Sequence, residues 1–206
     1  MTTTRKSDRR STGRTAGLLL AAGAGRRYGM PKALVRRGER PLVEWAARTL
    51  REGGCAPVVV VLGAAAEEVH EQADLLDALI VDNPDWPTGM GSSLRAGLAA
   101  LAATDAESTV VLLVDTPGIT PAAVRRLTAA GSTTTSLAVA TYHGERGHPV
   151  LLGREHWPGV AELAVGDVGA RPYLRRHQVR EIPCADIADG RDIDTNIDVP
   201  TQDGGR

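Results

Sequence analysis

Aromatic side chains are scarce in this sequence, which contains no phenylalanine; phenylalanine, tryptophan and tyrosine together make up 3% of its 206 residues. The core of the fold must therefore consist of leucine, valine, isoleucine and alanine. Cysteine is also scarce, and the two cysteines, Cys55 and Cys184, lie far apart, which argues against a disulfide framework or a cysteine zinc site. The formal net charge of −1 gives no reason to expect nucleic acid or an anionic membrane as a partner.

Long apolar stretches are missing as well. No segment approaches the roughly 18 residues that span a bilayer, and the basic, polar residues 1–14 are not followed by an apolar region of signal-peptide length. We therefore expect a cytoplasmic protein with no membrane partner. We also expect a disordered basic tail over residues 1–15, a single domain over residues 16–199 and a frayed tail over residues 200–206.

Apolar runs of strand length alternate with helical patterns along the chain. The runs are continuous, which is typical of strands covered on both faces in a mostly parallel sheet. Ser92 and Ser93 are predicted to cap one helix and Thr120 another. We therefore predict an α/β fold with a doubly wound, mostly parallel sheet in a single domain. The predicted strands lie at residues 17–22, 58–62, 79–81, 110–114, 137–140 and 149–152.

The first predicted strand runs into a glycine-rich loop, LLLAAGAGRRYGMPKAL at residues 18–34. A dinucleotide-binding loop requires G-x-G-x-x-G leading directly into a helix, but the third glycine comes one residue late and Pro31 would cost such a helix about 3 kcal/mol. A Walker loop is excluded because Gly-Lys-Ser and Gly-Lys-Thr do not occur. The remaining interpretations are an irregular loop that carries Arg27 and Lys32 over a triphosphate, which we favour, and a solvated glycine turn.

Two further segments follow predicted strands, where open α/β sheets bind their ligands. The segment DNPDWPTGMGSSLRAGL presents glycines and the free N–H groups of a helix start, which can bind polar or anionic atoms; an ordinary capped helix is the alternative. An esterase elbow is excluded because G-x-S-x-G does not occur. Asp115 ends the fourth predicted strand, where a buried carboxylate is costly unless it is paired or bound to a metal. Its alternative role as a helix N-cap is less favoured because Thr120 already serves there.

The loop at residues 18–34 resembles the signature of the MobA-like nucleotidyltransferases, and its AAG and PK variants are closest to the molybdenum cofactor cytidylyltransferases. Tyr28 departs from the methionine that is usual in the family. Three later segments are also similar to family motifs, although Asn196 replaces a proline in the last of them. They are GERGHPVLL at residues 144–152, GDVGARPYL at residues 166–174 and DGRDIDTNIDVPTQD at residues 189–203.

The resemblance implies a complete set of site residues and a Rossmann-like nucleotidyltransferase fold. The catalytic residues would be Arg27, Lys32 and Asp115, with the two cations on the phosphates. Asp115 and Asp194 would hold Mg²⁺, which prefers oxygen ligands. The second substrate would contact His148, Asp167, Gly169 and Arg171. The nucleotide would be bound by Ala21, Ala22, Gly23, Gly25, Arg27, Lys32, Gly89, Gly91, Ser92 and Ser93.

The function implied by the resemblance is Mg²⁺-dependent transfer of a nucleoside monophosphate from a nucleoside triphosphate to a phosphorylated acceptor, with release of pyrophosphate. CTP and a molybdopterin cofactor are the first expectation. A guanylyltransferase that uses GTP on molybdopterin or phospholactate is an alternative. So is a non-catalytic protein that delivers molybdenum cofactor, with a molybdoenzyme or its maturation factor as a partner. A carrier needs no metal pair, which favours the enzyme. A dehydrogenase is more distant.

Overall fold

The computed structural model describes residues 14–75 and 77–193. The expected frayed tail, most of the expected disordered tail, Asp194 and Asn196 lie outside these residues. Thr15, which we expected to belong to the disordered tail, is instead the first residue of a buried strand. No helix in the described part of the chain is long and apolar enough to cross a membrane.

A seven-stranded sheet forms the centre of the molecule. Its strands are β1 (Thr15–Ala21), β4 (Val58–Leu62), β5 (Ala78–Asp82), β6 (Ser108–Leu113), β7 (Leu137–Tyr142), β8 (Glu145–Gly153) and β9 (Arg180–Pro183). Their order in the sheet is β5-β4-β1-β6-β8-β7-β9, and among them only β8 runs antiparallel to its neighbours, so the predicted doubly wound, mostly parallel sheet is confirmed. A separate hairpin pairs β2 (Arg36–Arg37) with β3 (Arg40–Pro41).

Helices cover both faces of the sheet. Successive residues of a strand point to opposite sides, and the central strands β1 and β4 are buried throughout, so both faces must be covered. The helices are α1 (Leu42–Glu52), α2 (Ala66–Gln72), α3 (Met90–Ala102), α4 (Pro121–Ala129), α5 (Trp157–Leu163) and α6 (Arg171–Leu174). In β1, Leu19 packs in the core layer that contains α1 and α4, whereas Leu18 and Leu20 pack in the layer that contains α3 and α5. Short 3-10 turns occupy Lys32–Leu34, Trp86–Thr88 and Arg154–His156.

Two local expectations are wrong and one is confirmed. The run at residues 79–81 is not covered on both faces: β5 is an edge strand, and Leu79 and Ile80 are 49% and 37% exposed. Ser92 and Ser93 do not cap α3, which begins at Met90 and leaves both serines buried inside its first turn. Thr120 does cap α4, since its Oγ1 accepts a hydrogen bond of 3.3 Å from the N–H of Ala123.

Candidate functional site

A cleft with two connected parts lies at the carboxyl ends of the central strands β1 and β6. The first cavity, of about 450 Å³, is formed by the loop after β1, the start of α3 and the end of β6. The second cavity, of about 670 Å³, extends over β6, β7 and β8 to α6. Four residues line both cavities, so the cavities adjoin each other: Leu20, Met90, Leu113 and Asp167.

The loop after β1 turns back on itself at Gly25. The φ angle of Gly25 is +61°, and a Cβ atom there would lie 1.8 Å from the carbonyl oxygen of Met30, so only glycine fits. The N–H of Gly29 donates to the carbonyl oxygen of Gly25 at 2.9 Å and closes the turn. A 3-10 turn follows instead of an α-helix, and it brings Lys32 to the wall of the first cavity together with Arg27.

Lys32 and Asp115 form an ion pair inside the first cavity. Their Nζ and Oδ2 atoms are 3.0 Å apart, and both side chains are mostly buried. The other carboxylate oxygen of Asp115, Oδ1, is buried and accepts no hydrogen bond from any residue that the structure describes. A buried carboxylate oxygen without a donor is unfavourable, so this atom is free to bind a cation.

The backbone near the carboxyl end also reaches Asp115. The N–H of Ile193 donates to the carbonyl oxygen of Asp115 at 2.8 Å. Asp194, the expected second metal ligand, is the next residue of the chain and lies outside the described part. Among residues 14–75 and 77–193, no group of three or more histidine, cysteine, aspartate or glutamate side chains could hold a metal.

The start of α3 contributes fewer ligand-facing residues than expected. Gly89 and Ser93 line the first cavity, but Gly91 does not. The N–H of Gly91 donates to the carbonyl oxygen of Gly166 at 2.8 Å, and a Cβ atom there would lie 2.4 Å from the carbonyl oxygen of Ala164, so this glycine serves the packing of the chain.

Two other expected nucleotide-binding residues also lie outside the cavity lining. The Oγ of Ser92 lies 2.9 Å from the carbonyl oxygens of both Asp85 and Gly89, to which it donates. Ala21 is buried in the core layer of α1 and α4. The remaining expected nucleotide-binding residues line the first cavity: Ala22, Gly23, Gly25, Arg27, Lys32, Gly89 and Ser93.

The second cavity combines apolar walls with charged side chains of both signs. His148, Asp167, Gly169 and Arg171, the expected contacts of the second substrate, all line it. Arg175, which the sequence analysis missed, lies one helical turn after Arg171 and also lines it; the i, i+4 spacing is the signal that could have revealed it. Neither arginine has a carboxylate partner among the described residues. The apolar walls come from Leu94, Val111, Val139, Val150 and Leu174.

His148 is held in its neutral form. Burial, assisted by the positive charge of Arg171 and opposed by Asp192, lowers its pKa from 6.5 to about 4. At neutral pH the imidazole therefore adds no charge to the second cavity. The cations of this cavity that have no carboxylate partner among the described residues are Arg171 and Arg175, since Arg146 is paired with Glu181 at 2.8 Å.

Comparison with known proteins identifies the family. Residues 17–181 match the family described as MobA-like NTP transferase domain. The chain is 44% identical to nicotine blue oxidoreductase of Paenarthrobacter nicotinovorans, with 87% of this chain and 91% of that protein covered. It is 36% identical to molybdenum cofactor guanylyltransferase of Cereibacter sphaeroides, with 80% and 82% covered.

Solved structures with the same architecture include two mycobacterial proteins. A homologue of Rv0371c from Mycobacterium sp. strain JC1 is 38% identical with a TM-score of 0.74, and the match covers 88% of this chain and 91% of that one. Rv0371c from Mycobacterium tuberculosis, in a complex with manganese, is 29% identical with a TM-score of 0.68, covering 82% and 88%.

Proposed function

Because this chain belongs to the MobA-like NTP transferase family and is a nucleotidyltransferase, we propose that it transfers CMP from CTP to a molybdopterin-type acceptor and releases pyrophosphate. The observation that carries the proposal is the first cavity, where the glycine loop, Lys32 and Asp115 line one space. The expected cytoplasmic location, and a molybdoenzyme or its maturation factor as a partner, belong to the same proposal.

The first cavity would hold the nucleotide. Backbone groups at Gly23 and Gly25 would approach its phosphates closely, and Arg27 and Lys32 would offset their negative charge. Gly89 and Ser93, at the start of α3, would face the base. Cations and N–H groups that are already in place stabilise the charge that develops on the departing pyrophosphate, because they need no reorganisation during the reaction.

Asp115 and Asp194 would hold Mg²⁺. The Oδ1 of Asp115, which accepts no hydrogen bond from the described residues, fits a hard cation, and Asp194 directly follows Ile193, whose N–H is hydrogen-bonded to the backbone of Asp115. When bound, the cation would supply charge neutralisation and alignment of the phosphates. The manganese complex of Rv0371c supports the use of a divalent cation, since Mn²⁺ and Mg²⁺ share a preference for oxygen ligands.

The second cavity would hold the acceptor. A pterin is flat and largely apolar on its faces, which suits the aliphatic walls, while Arg171 and Arg175 would bind an anionic group such as a phosphate. Gly169 lines the same cavity and would contact the acceptor through its backbone. Asp167 lies where the two cavities adjoin, so it would contact whichever polar groups of the two substrates meet there.

The proposed reaction needs little covalent assistance from the protein. A terminal phosphate oxygen of the acceptor would form a bond to the α-phosphorus of CTP as the bond from that phosphorus to pyrophosphate breaks, and the electron pair would leave with pyrophosphate. A phosphate oxygen is already anionic near pH 7, so no strong general base is required. The chain would therefore contribute mainly alignment and charge stabilisation.

A pyrophosphate-release assay tests the proposal. The purified chain is incubated with Mg²⁺ and each of the four nucleoside triphosphates, with molybdopterin, with phospholactate and without an acceptor. Release that requires CTP and molybdopterin supports the proposal. Release with GTP would make the chain a guanylyltransferase, the activity named in its 36% identical relative. Cofactor binding without any release would favour the non-catalytic delivery protein.

An oxidoreductase is the second candidate, because the relative with 44% identity is named nicotine blue oxidoreductase. The loop at residues 18–34 lacks the glycine spacing of a dinucleotide-binding loop, which makes this candidate the weaker one. The test is the loss of absorbance of NADH or NADPH in the presence of nicotine blue. Oxidation of either dinucleotide at a rate above that of pyrophosphate release would reverse the ranking.

A further inference from the structure

A small buried network of polar side chains lies behind the first cavity. Asn83, Ser92 and Ser93 are 5%, 4% and 4% exposed. The Nδ2 of Asn83 donates to the Oγ of Ser92 at 2.9 Å and to the Oγ of Ser93 at 3.1 Å. Asn83 was not among the site residues predicted from the sequence.

The orientation of the Asn83 amide is determined by its other end. The N–H of Asp85 donates to the Oδ1 of Asn83 at 3.1 Å, and a backbone N–H can only donate. The opposite end of the amide must therefore be the NH₂ group, which has two hydrogens for the two serine oxygens. Each serine consequently accepts one hydrogen bond, and its own hydroxyl hydrogen must point elsewhere.

The two serines differ in where that hydrogen can go. Ser92 gives its hydrogen to the backbone, because the carbonyl oxygens of Asp85 and Gly89 both lie within 2.9 Å of its Oγ. Ser93 has no such acceptor among the described residues, and it lines the first cavity. The hydroxyl hydrogen of Ser93 is thus a buried donor that is available to a ligand.

We propose that Asn83 is a positioning residue that holds the Ser93 hydroxyl as a hydrogen-bond donor directed into the first cavity. A ligand in that cavity must then present an acceptor atom to Ser93, and a ligand that presents a donor there is disfavoured. This inference rests on the proposed function, in which the first cavity holds a nucleotide and the start of α3 faces its base. It adds to that function that Ser93 is the donor, and the ligand atom the acceptor, of the hydrogen bond between them.

Equilibrium binding of CTP and of GTP by calorimetry tests the inference, with KM and kcat from pyrophosphate release as the second measurement. Ser93→Ala removes the donor, and we expect the Kd and KM of the preferred nucleotide to rise by about tenfold with kcat within about twofold of wild type. Asn83→Asp keeps the shape but offers only acceptor oxygens. Ser93 would then donate to Asp and present its lone pairs to the ligand, so we expect a loss at least as large as that of Ser93→Ala.

Two controls separate positioning from a general loss of structure. Ser92→Ala removes a hydroxyl with the same Asn83 partner that faces the backbone instead of the cavity, so we expect a lower melting temperature and a nucleotide Kd within about twofold of wild type. The double variant Asn83→Ala/Ser93→Ala should bind no more weakly than Ser93→Ala alone, because Asn83 acts through Ser93. A purely structural role of Asn83 would make the two losses add.

The outcomes of this experiment are distinct. Folded Ser93→Ala protein that binds its nucleotide as wild type does would overturn the inference, whatever the behaviour of the Asn83 variants. Wild-type protein that binds CTP or GTP without releasing pyrophosphate would overturn the proposed reaction, and the Kd comparison would still decide the inference. Wild-type protein that binds neither nucleotide would overturn both.

Discussion

At the scale of single residues, Asp115 is the most informative side chain of the site. One of its carboxylate oxygens accepts from Lys32, and the other is buried without a donor among the described residues. Asp115→Asn replaces an oxygen that can bind a cation with an amide NH₂, so we expect the rate of pyrophosphate release to fall by at least about 100-fold. The free energy of unfolding should change by less than about 2 kcal/mol, because the amide oxygen can still accept from Lys32.

A matched control for this substitution is Asp186→Asn. Asp186 is also paired with a cation, the guanidinium of Arg126, but it is exposed and lies outside the linings of both cavities. We expect Asp186→Asn to leave the rate of pyrophosphate release within about twofold of wild type, since Asp186 lines neither cavity. Its effect on stability should also be small, since exposed ion pairs contribute little to the free energy of unfolding. Equal losses of rate in the two variants would contradict the special role of Asp115.

His148 provides a prediction about stability and pH. Its pKa is lowered to about 4 in the folded chain, mainly by burial and also by Arg171, whereas the ordinary value of 6.5 applies after unfolding. The unfolded chain therefore binds the proton first as the pH falls. The stabilisation by His148 is present above pH 6.5 and is lost as the pH falls through about 4.

Urea unfolding at pH 7 and at pH 4 measures this effect in wild type and in His148→Gln. Between these two pH values, wild type should lose about 2 kcal/mol more of its unfolding free energy than the variant, a figure reduced for the partial exposure of the ring. Parallel pH dependence in the two proteins would mean that the imidazole already titrates normally in the folded chain.

At the scale of elements, the loop after β1 depends on Gly25. Gly25→Ala would place a methyl group against the carbonyl oxygen of Met30, so the loop would have to open. Gly38, in the hairpin of β2 and β3, has a similar φ of +64°, but a methyl group there would meet no atom within 4 Å, and Gly38 does not line the first cavity. Both alanine variants should lose about 1–2 kcal/mol of stability from the left-handed backbone, and Gly25→Ala should lose more than Gly38→Ala because of the contact with Met30. Only Gly25→Ala should also raise the KM for the nucleotide, by about tenfold or more, in the pyrophosphate assay.

The order of elements could be predicted from the sequence because hydrophobic runs and helix ends are local signals. Residues 58–62 were predicted as a strand with the bounds that β4 has. The exposure of β5 could not be predicted, since an apolar run does not reveal whether its strand lies at the centre or at the edge of a sheet. The start of α3 was predicted two residues too late because Ser92 and Ser93 resemble capping residues. Their hydroxyl oxygens instead accept hydrogen bonds from the side chain of Asn83.

A candidate site residue could be predicted from the sequence only where its residue type is unfavourable at that position unless it binds a partner or a ligand. A carboxylate at the end of a buried strand drew attention to Asp115 directly. Gly91, like Gly25, is a glycine in a segment that follows a predicted strand. A Cβ atom at Gly91 would contact the backbone of Ala164, whereas one at Gly25 would contact the loop that lines the first cavity. The orienting contact of Asn83 joins residues nine and ten positions apart through a turn, and no local pattern encodes it.

At the scale of the whole molecule, the two adjoining cavities determine whether both substrates can be bound at the same time. Leu20, Met90, Leu113 and Asp167 line both cavities, so the nucleotide and the acceptor can be present together and can meet at their shared boundary. In the described part of the chain, neither cavity lining contains cysteine, and Ser93 accepts a hydrogen bond from Asn83 instead of giving its proton to a base. A covalent nucleotidyl-enzyme intermediate therefore has no activated serine or cysteine to form on.

Direct transfer predicts sequential kinetics. With CTP varied at several fixed concentrations of acceptor, double-reciprocal plots of the rate of pyrophosphate release should intersect, because both substrates must be bound before the α-phosphorus reacts. Labelled pyrophosphate should not exchange into CTP when the acceptor is absent. Parallel lines, or exchange without acceptor, would show that the nucleotidyl group first moves to the protein. A residue accessible from both cavities would then have to carry that group from the nucleotide to the acceptor.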